Sequence, residues 1–289
     1  MNIEPLFCAD SFTKTKNEKT RTFFDPNVSQ RKVLNRINHY LQQIEAPSFA
    51  YGGIKGRSYI DNAKVHSSQS SLLLIDIKNF FPSTNDFYVY NFFKNKLAMS
   101  TDVAKILTLI VTEKSGLSKN RFIPQGYPTS PLISLFSYID MFSKIAEIAS
   151  LNRLNYSCYY DDLTLSSNKY IDKSVLRQIK KTISLYDLKV NENKTRALFN
   201  RGSKLTGVIV LPDGLEIPGK IQLQMIQNFD LLMKSIFSET QIDKKTIITL
   251  CNKVQGCIAS MRSIDKYKND FDRDLSFYSN KVKEIRKLL

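Results

Sequence analysis

Hydrophobic positions recur at helical spacing along much of the chain and form short continuous runs at a few places. The helical pattern predicts helices over residues 30–44, 85–97, 101–112, 132–149 and 173–186. From Lys220 onward the chain is again helical and basic. One apolar helix face there is formed by Ile247, Leu250, Cys251, Val254, Ile258 and Met261. The change in composition near Lys220 is the one candidate domain boundary.

Two stretches have the pattern of buried strands or hairpins with acids at their ends. Residues 71–77, Ser-Leu-Leu-Leu-Ile-Asp-Ile, are too short for a helix and typical of a buried strand, with Asp76 near its C-terminal end. Residues 155–167 rise through apolar and aromatic positions to Asp161 and Asp162 and then descend through leucines. This pattern predicts a hairpin with both carboxylates at the turn.

The remaining segments predict a second hairpin, a loop and an irregular region. Residues 205–218 indicate a hairpin whose strands are 205–211 and 215–218, joined by a Pro-Asp-Gly turn. Residues 51–57 hold three glycines around Lys55 and Arg57. This loop either lets backbone amides and a guanidinium approach phosphates or is a simple glycine-rich turn with exposed cations. The first 30 residues are polar and broken, and predict no element.

The composition favours a negatively charged partner. Lys and Arg outnumber Asp and Glu by 42 to 27, which gives a formal charge of +15 and a pI near 9.5. A globular protein this basic usually binds a polyanion, because neutralised phosphates release condensed counterions. Fourteen Tyr and eighteen Phe offer stacking surfaces for unpaired bases. The alternative is that the cations solvate the surface and the aromatic rings form the core.

The same composition argues against several other classes of protein. Four cysteines without a Cys-x-x-Cys spacing and only two histidines argue against a zinc site and a disulfide framework. No apolar run is long enough to span a membrane, and the N-terminal pattern is not that of a signal peptide. We therefore expect a soluble cytoplasmic protein with free thiols and no membrane partner.

The acidic residues at the predicted strand ends have two interpretations. Asp161 and Asp162 form either an ordinary turn, since Asp is a favoured turn residue, or a site for a divalent cation and a phosphorylated substrate. The presence of Asp76 in an apolar strand also needs an explanation, because burying an unpaired carboxylate costs a large amount of free energy. An ion pair with Lys78 is its structural alternative.

The order of motifs along the chain favours the metal-site interpretation. The motifs are Asp76 at a strand end, Gln125-Gly126 before a long helix, Tyr-x-Asp-Asp at 159–162, and Asn191 followed by Lys194-Thr195-Arg196. This set resembles the palm motifs A, B, C and D of reverse transcriptases. Two further segments, Asn62-Ala63-Lys64-Val65-His66 and Leu205-Thr206-Gly207, are similar to the retron signatures Asn-Ala-x-x-His and Val-Thr-Gly. The resemblance covers residues 21–222.

Three positions depart from the retron pattern without removing an acid. Tyr160 lies between Tyr159 and the Asp pair, where many retron enzymes carry Ala. Tyr127 follows Gln-Gly, where Ala is common, and Leu205 replaces Val. The palm motifs are shared by other bacterial defence-associated reverse transcriptases, so the polymerase resemblance is broader than the retron one.

The resemblance implies an α+β right-hand polymerase. The expected division is fingers at 1–70 and 84–120, a palm of antiparallel sheet and helices at 71–83 and 121–219, and a helical thumb at 220–289. The implied activity is that of an RNA-directed DNA polymerase, a nucleotidyltransferase that uses two Mg²⁺ ions.

The resemblance also implies roles for the acidic motif residues. Asp76 and Asp161 would be bridging metal ligands, Asp162 the third carboxylate, and the Ile77 carbonyl a possible extra ligand. Lys194 would protonate the departing pyrophosphate, unless it is simply a surface lysine.

Further roles concern the nucleotide and the nucleic acid. Lys55 and Arg57 would hold the incoming triphosphate, and Gln125 and Gly126 would line the nucleotide and template groove. Phe81 would exclude a 2′-hydroxyl, or Phe80 if the register is shifted by one. The implied nucleic-acid contacts are Tyr159, Thr206 and Gly207, and the 205–210 hairpin would grip the primer.

The implied partners are those of a retron. They are deoxynucleoside triphosphates and a structured non-coding RNA that serves as template and, through an internal guanosine 2′-hydroxyl, as primer. The branched RNA–DNA product would stay bound, with a separate effector protein in anti-phage defence. One alternative is a defence reverse transcriptase with protein-primed or untemplated synthesis. Another is a non-catalytic RNA-binding scaffold.

Overall fold

The computed structural model describes residues 9–16, 19–114, 120–237, 243–264 and 272–288. The helices are α1 (Val28–Leu41), α2 (Tyr59–Lys64), α3 (Phe80–Ser83), α4 (Asp86–Asn91), α5 (Thr101–Val111), α6 (Ser130–Ser137), α7 (Ile139–Leu151), α8 (Lys173–Ser184), α9 (Gly219–Phe237), α10 (Lys244–Arg262) and α11 (Asp272–Leu288). The strands are β1 (Ala9–Lys16), β2 (Lys19–Pro26), β3 (Ser71–Asp76), β4 (Glu113–Lys114), β5 (Arg121–Phe122), β6 (Asn155–Tyr159), β7 (Asp162–Ser167), β8 (Arg196–Phe199), β9 (Ser203–Leu205), β10 (Val208–Leu211) and β11 (Gly214–Glu216).

The chain divides into two compact units. Unit 1 comprises Met1–Ser58 and Leu72–Ala197, and unit 2 comprises Tyr59–Ser71 and Leu198–Leu289. The main boundary thus falls between Ala197 and Leu198, before the composition change near Lys220. The 205–218 region and the upstream segment Tyr59–Ser71 belong to the same unit as the C-terminal helices. The division into fingers, palm and thumb stays a prediction.

A four-stranded sheet has the order β6-β7-β3-β8, and all of it except Ser71 and the second half of β8 belongs to unit 1. Every residue of β3 is buried, which explains its continuous apolar run. The core around the sheet also includes buried side chains of α7 and α8, among them Phe142, Ile145, Val175, Ile179 and Ile183. The strand predicted at 71–77 is therefore confirmed.

A second core in unit 1 lies among the helices that precede the hairpin. Most of its buried residues come from α1, α4, the π-helical turn at Phe92–Lys96, α5 and α6, and they include Leu34, Val89, Phe93, Ala104 and Ile133. Tyr127 also belongs to this core and is 3% exposed. Unit 1 therefore contains two clusters of buried hydrophobic side chains.

Two predicted helices of unit 1 are interrupted. The helix expected at 132–149 is two helices that meet at Tyr138, whose φ of −113° breaks the helical path. The Tyr138 side chain is fully buried and packs against Tyr88 and Phe80, with ring centroids 4.7 and 5.8 Å apart. The helix expected at 85–97 changes from α4 to a π-helical turn at Phe92–Lys96.

The N-terminal region contains a hairpin that the sequence pattern did not predict. Strands β1 and β2 pair in antiparallel register, with Phe12 opposite Phe23 and Lys14 opposite Arg21. The two Phe rings stack with centroids 5.7 Å apart, and the Lys14 ammonium lies 5.3 Å from the Phe12 ring. Since both faces carry mostly polar residues, the expected apolar alternation of a strand is missing.

Unit 2 contains α2, the sheet β9-β10-β11 and the helices α9 to α11. The strand expected at 205–211 is wrong, because Thr206 and Gly207 form a turn between β9 and β10. Their φ angles of 48° and 111°, with Leu205 opposite Val208, match the two-residue turn that needs positive φ twice. The predicted apolar face of α10 is buried throughout. No helix within the described residues is long and apolar enough to cross a membrane.

Candidate active site

Main-chain hydrogen bonds bring Asp76 beside the tip of the β6–β7 hairpin. The Ile77 N–H donates to the Asp161 carbonyl at 3.0 Å. On the other side, the Asn191 N–H donates to the Asp76 carbonyl at 2.7 Å. The C-terminal end of β3 therefore lies between the acidic turn and the segment that precedes Lys194.

A cleft of about 1070 Å³ opens over this frame in unit 1. Among the predicted site residues, its lining includes Asp76, Ile77, Phe81, Gln125, Asp161, Asp162 and Lys194. Four other predicted residues of unit 1, Lys55, Arg57, Gly126 and Tyr159, are not part of that lining. Seven of the residues inferred from separate motifs thus share one surface.

The electrostatics of the cleft reflect three acids near one another. Asp76 is 5% exposed and forms an ion pair with Lys194. Burial raises the pKa of Asp161, and Asp76 adds to the shift, while Lys194 and Arg21 oppose it. Asp162 faces the open cleft, yet enough protein surrounds its carboxylate that desolvation raises its pKa to about 6. Repulsion from Asp161 and Asp76 contributes to that shift.

The chemistry of these side chains fits a divalent cation, although their carboxylates are not gathered around a single point. Carboxylate oxygens from two strand ends are the hard ligands that Mg²⁺ prefers, and their mutual repulsion is what a cation would relieve. Within the described ranges, no group of three or more His, Cys, Asp or Glu side chains is gathered as a metal-binding cluster. Lys194 already neutralises Asp76, so a cation that bound Asp76 would compete with that ammonium.

Phe81 and Phe80 differ in their relation to the cleft. Phe80 is 2% exposed and packs in the core against Phe142 and Tyr138. Phe81 is half-buried at the cleft wall, with its ring 6.2 Å from that of Tyr160. The geometry therefore favours Phe81 as the ring that would meet a nucleotide sugar.

Gly126 serves the packing of the neighbouring hairpin. Its φ is +116°, and a Cβ there would lie 2.3 Å from the Phe24 carbonyl oxygen. The Phe24 N–H donates to the Gln125 carbonyl at 2.8 Å. The Gln-Gly pair thus holds β2 against the cleft, which leaves the Gln125 side chain at the cleft surface.

Arg57 has a different environment from the one expected for a triphosphate ligand. Its guanidinium donates to the main-chain carbonyls of Ala46, Pro47 and Ala50, the last at 2.5 Å. These bonds hold the loop that precedes the glycines. Lys55 is exposed and lies outside the cleft lining.

Arg21 is the functional candidate that the sequence pattern missed. It lines the cleft together with Thr20 and Thr22, and its charge lowers the pKa of Asp161. Its position on β2 follows from an alternation of Thr with Lys, Arg or Phe that could have indicated a strand. Lys78, two residues beyond Asp76, also lines the cleft, whereas the sequence indicates it only as an ion-pair partner of Asp76.

The two segments with retron-like signatures contact each other in unit 2. The Thr206 hydroxyl donates to the Tyr59 carbonyl at 3.2 Å, and Asn62 Nδ2 donates to Thr206 Oγ1 at 3.4 Å. A Cβ on Gly207 would lie 3.7 Å from the Tyr59 ring. His66 is fully buried, and desolvation lowers its pKa to about 3, so its imidazole is neutral.

The sequence and the fold are matched by known proteins. The family model for reverse transcriptase (RNA-dependent DNA polymerase) matches residues 13–211, and the chain therefore belongs to that family. A solved structure of telomerase from Candida albicans aligns with 94% of this chain and 60% of its own, with a TM-score of 0.53 and 11% identity. That likeness concerns the fold, and it confirms the expected α+β class.

Curated relatives confirm the retron-type resemblance. Retron Se72 reverse transcriptase of Salmonella heidelberg is 32% identical over 185 residues, which are 62% of this chain and 47% of the relative. Retron Ec73 reverse transcriptase of Escherichia coli is 27% identical over 263 residues, which are 86% of this chain and 80% of the relative. The match thus spans about half of the first relative and four fifths of the second.

Proposed function

We propose that this protein is an RNA-directed DNA polymerase of the retron type. The observation that carries the proposal is the cleft of unit 1, in which Asp76, Asp161 and Asp162 share one surface. Four cationic residues line the same surface, and Arg21 and Lys194 are two of them. Phosphoryl transfer requires mainly positioning and charge neutralisation, and this arrangement of acids and cations supports both.

The three acids would hold the catalytic ions. Divalent cations, for which Mg²⁺ in two copies is the expected choice, would lower the pKa of the primer hydroxyl and neutralise the leaving pyrophosphate when bound there. Asp76, at the end of β3, and Asp161, in the β6–β7 turn, would each supply carboxylate oxygens. Asp162 would supply the third carboxylate. The Ile77 carbonyl is the proposed additional ligand, since Ile77 lines the cleft.

The cations and the aromatic ring would handle the incoming nucleotide. We assign the triphosphate contact to Arg21 in place of Arg57, because the Arg57 guanidinium is engaged by main-chain carbonyls. Lys194, once separated from Asp76, would donate a proton to the pyrophosphate. Phe81 would lie against the sugar and exclude a 2′-hydroxyl.

The proposed template is a structured non-coding RNA whose internal guanosine 2′-hydroxyl also primes synthesis. The product is then a branched RNA–DNA molecule, and a separate effector protein would couple it to anti-phage defence. The net charge of +15 supports a polyanionic partner, and the names of the relatives support the retron class.

The test is the nucleic acid that the protein carries when it is expressed with its native flanking DNA. Wild-type protein should co-purify with a species that contains RNA and DNA joined covalently and resistant to heat denaturation. Asp161→Asn should carry RNA without DNA. The matched control Asp213→Asn changes an acid in the β10–β11 turn and should behave as wild type.

Other outcomes identify the alternatives. RNA alone in both wild type and Asp161→Asn would contradict the polymerase proposal and favour an RNA-binding scaffold. DNA joined to protein, or DNA that matches no template, would favour a defence reverse transcriptase with protein-primed or untemplated synthesis.

A further inference from the structure

Tyr160 lies in a backbone conformation that a bulky side chain seldom adopts. Tyr159 pairs with Asp162, so Tyr160 and Asp161 form a two-residue turn. The φ of Tyr160 is +58°, and that of Asp161 is not positive. A turn with positive φ only at its first central position normally carries glycine there. A tyrosine in this place needs contacts that hold it.

Those contacts come from the glycine loop at residues 49–53, which extends the sheet beside β6. The Tyr51 N–H donates to the Cys158 carbonyl at 2.8 Å, and the Cys158 N–H donates to the Phe49 carbonyl at 2.8 Å. This pairing brings Gly52 against Tyr160. A Cβ on Gly52 would lie 2.6 Å from the Tyr160 backbone nitrogen and 2.8 Å from ring atom Cδ1.

Gly53 continues the same surface along the ring. A Cβ there would lie 3.2 Å from Cε1 of Tyr160 and 2.9 Å from Cβ of Pro131. Both glycines therefore lack a side chain where the tyrosine ring and its backbone need the space. We call Gly52 and Gly53 the glycine seat.

The ring on the glycine seat also lies next to the Phe81 ring. The centroids of Tyr160 and Phe81 are 6.2 Å apart at an interplanar angle of 53°. Phe81 lines the cleft, whereas Tyr160 is half-buried and is not part of the lining. Tyr160 thus lies behind the ring that would meet the nucleotide sugar.

We propose that Tyr160, held by the glycine seat, is a positioning residue that sets how far Phe81 projects into the cleft and thereby tunes sugar selection. The proposal rests on the proposed polymerase function. Removal of the Tyr160 ring leaves space behind Phe81, which can then retreat from a 2′-hydroxyl. Loss of discrimination should follow without loss of the acids or of the main-chain frame.

The experiment measures single-nucleotide extension of a DNA primer on an RNA template, with kcat and KM for dGTP and for GTP. Tyr160→Gly removes the ring and relaxes the turn, and Tyr160→Leu removes the ring but keeps the strain. Both should lower the preference for dGTP by roughly tenfold, within the range of a lost apolar contact. Tyr160→Phe should keep the wild-type preference, and Phe81→Val sets the scale for complete loss.

The glycine seat supplies a matched pair of variants. Gly52→Ala places a methyl group against the Tyr160 ring and should alter the dGTP preference. Gly56→Ala changes a glycine three residues beyond that loop, with φ +80° and nothing within 4 Å of its Cβ, and it should leave the preference unchanged. An effect of both substitutions would indicate general loop damage and contradict the proposal.

The outcomes separate this inference from the proposed function. If Tyr160→Gly or Tyr160→Leu is active and keeps the wild-type preference for dGTP over GTP, the positioning role is overturned. The proposed polymerase function is not affected by that result. Absence of extension by the wild-type protein would overturn the polymerase function and this inference with it.

Discussion

Asp162→Asn should stabilise the fold while it removes activity. The structure raises the pKa of this carboxyl from 3.8 to about 6 through desolvation and through repulsion from Asp161 and Asp76. Because the ionised form is the disfavoured one, the folded state binds more protons than the unfolded state between about pH 4 and pH 6. Stability therefore falls as the pH rises through that window, and the full penalty is present above it.

The size of the expected stabilisation follows from the pKa shift of Asp162 and from the exposure of its side chain. A shift of about two units corresponds to roughly 3 kcal/mol for a fully desolvated group. Asp162 is exposed to the cleft, so solvent screening reduces the expected gain for the neutral amide to about 1 kcal/mol. For a chain of this length, that gain corresponds to a rise of roughly 2–4 °C in Tm.

The assay is thermal unfolding followed by circular dichroism, because the chain has no Trp for fluorescence. A chelator keeps divalent cations away, since a bound cation would relieve the repulsion in wild type alone. Asp162→Asn should melt above wild type at pH 7.5, and the difference should shrink at pH 4.5. Asp213→Asn, an exposed turn residue, should change Tm little at either pH.

Two results would refute the reasoning. If Asp162→Asn melts at or below the wild-type Tm at pH 7.5, Asp162 is not destabilised in the folded state. If the gain is the same at pH 4.5, its origin is not the ionisation of the carboxyl.

Three further substitutions test the surroundings of the cleft. Lys194→Met should tighten Tb³⁺ binding several-fold in a luminescence titration, because the ammonium no longer competes for Asp76 in a partly exposed ion pair; unchanged affinity would contradict that competition. Gly126→Ala should destabilise the protein by about 2 kcal/mol or more, because the φ of Gly126 is +116° and an added Cβ would clash with the Phe24 carbonyl oxygen. A Tm within a degree of wild type would contradict this packing. Arg57→Lys keeps the charge but loses the multiple hydrogen bonds to carbonyls, so Tm should fall with roughly 1–2 kcal/mol of stability while KM for dGTP stays within about twofold of wild type. A raised KM with unchanged Tm would instead support a triphosphate contact.

Elements whose signal is local could be predicted from the sequence. The strand that ends at Asp76 is a continuous apolar run because both of its faces are buried. The acidic turn was predicted because leucines and aromatics flank it on alternating positions. The face of α10 could be predicted because apolar residues at helical spacing pack inward.

Features that depend on distant partners could not be predicted in this way. The β1–β2 hairpin carries Thr, Lys and Arg on exposed positions, so no apolar face marks it, and Arg21 was missed with it. The glycines near Arg57 are compatible with phosphate binding or with a simple turn, and the sequence does not indicate that Gly52 and Gly53 make room for Tyr160. Composition alone contains no information about which distant side chain a glycine faces.

Tyr127 shows why departures from a family pattern should be interpreted as sets of contacting residues. The sequence presents it as a large residue where alanine is common beside the nucleotide groove. In the structure its hydroxyl accepts a hydrogen bond from Gln30 Nε2 at 2.7 Å and donates to Glu113, and burial raises the pKa of the phenol. The ring therefore joins α1 to β4 inside the helical core and stays out of the cleft. Tyr160 has the same relation to the glycine seat. Each large residue is accommodated by partners elsewhere in the chain, so its effect on the cleft is indirect, through the elements that it holds in place.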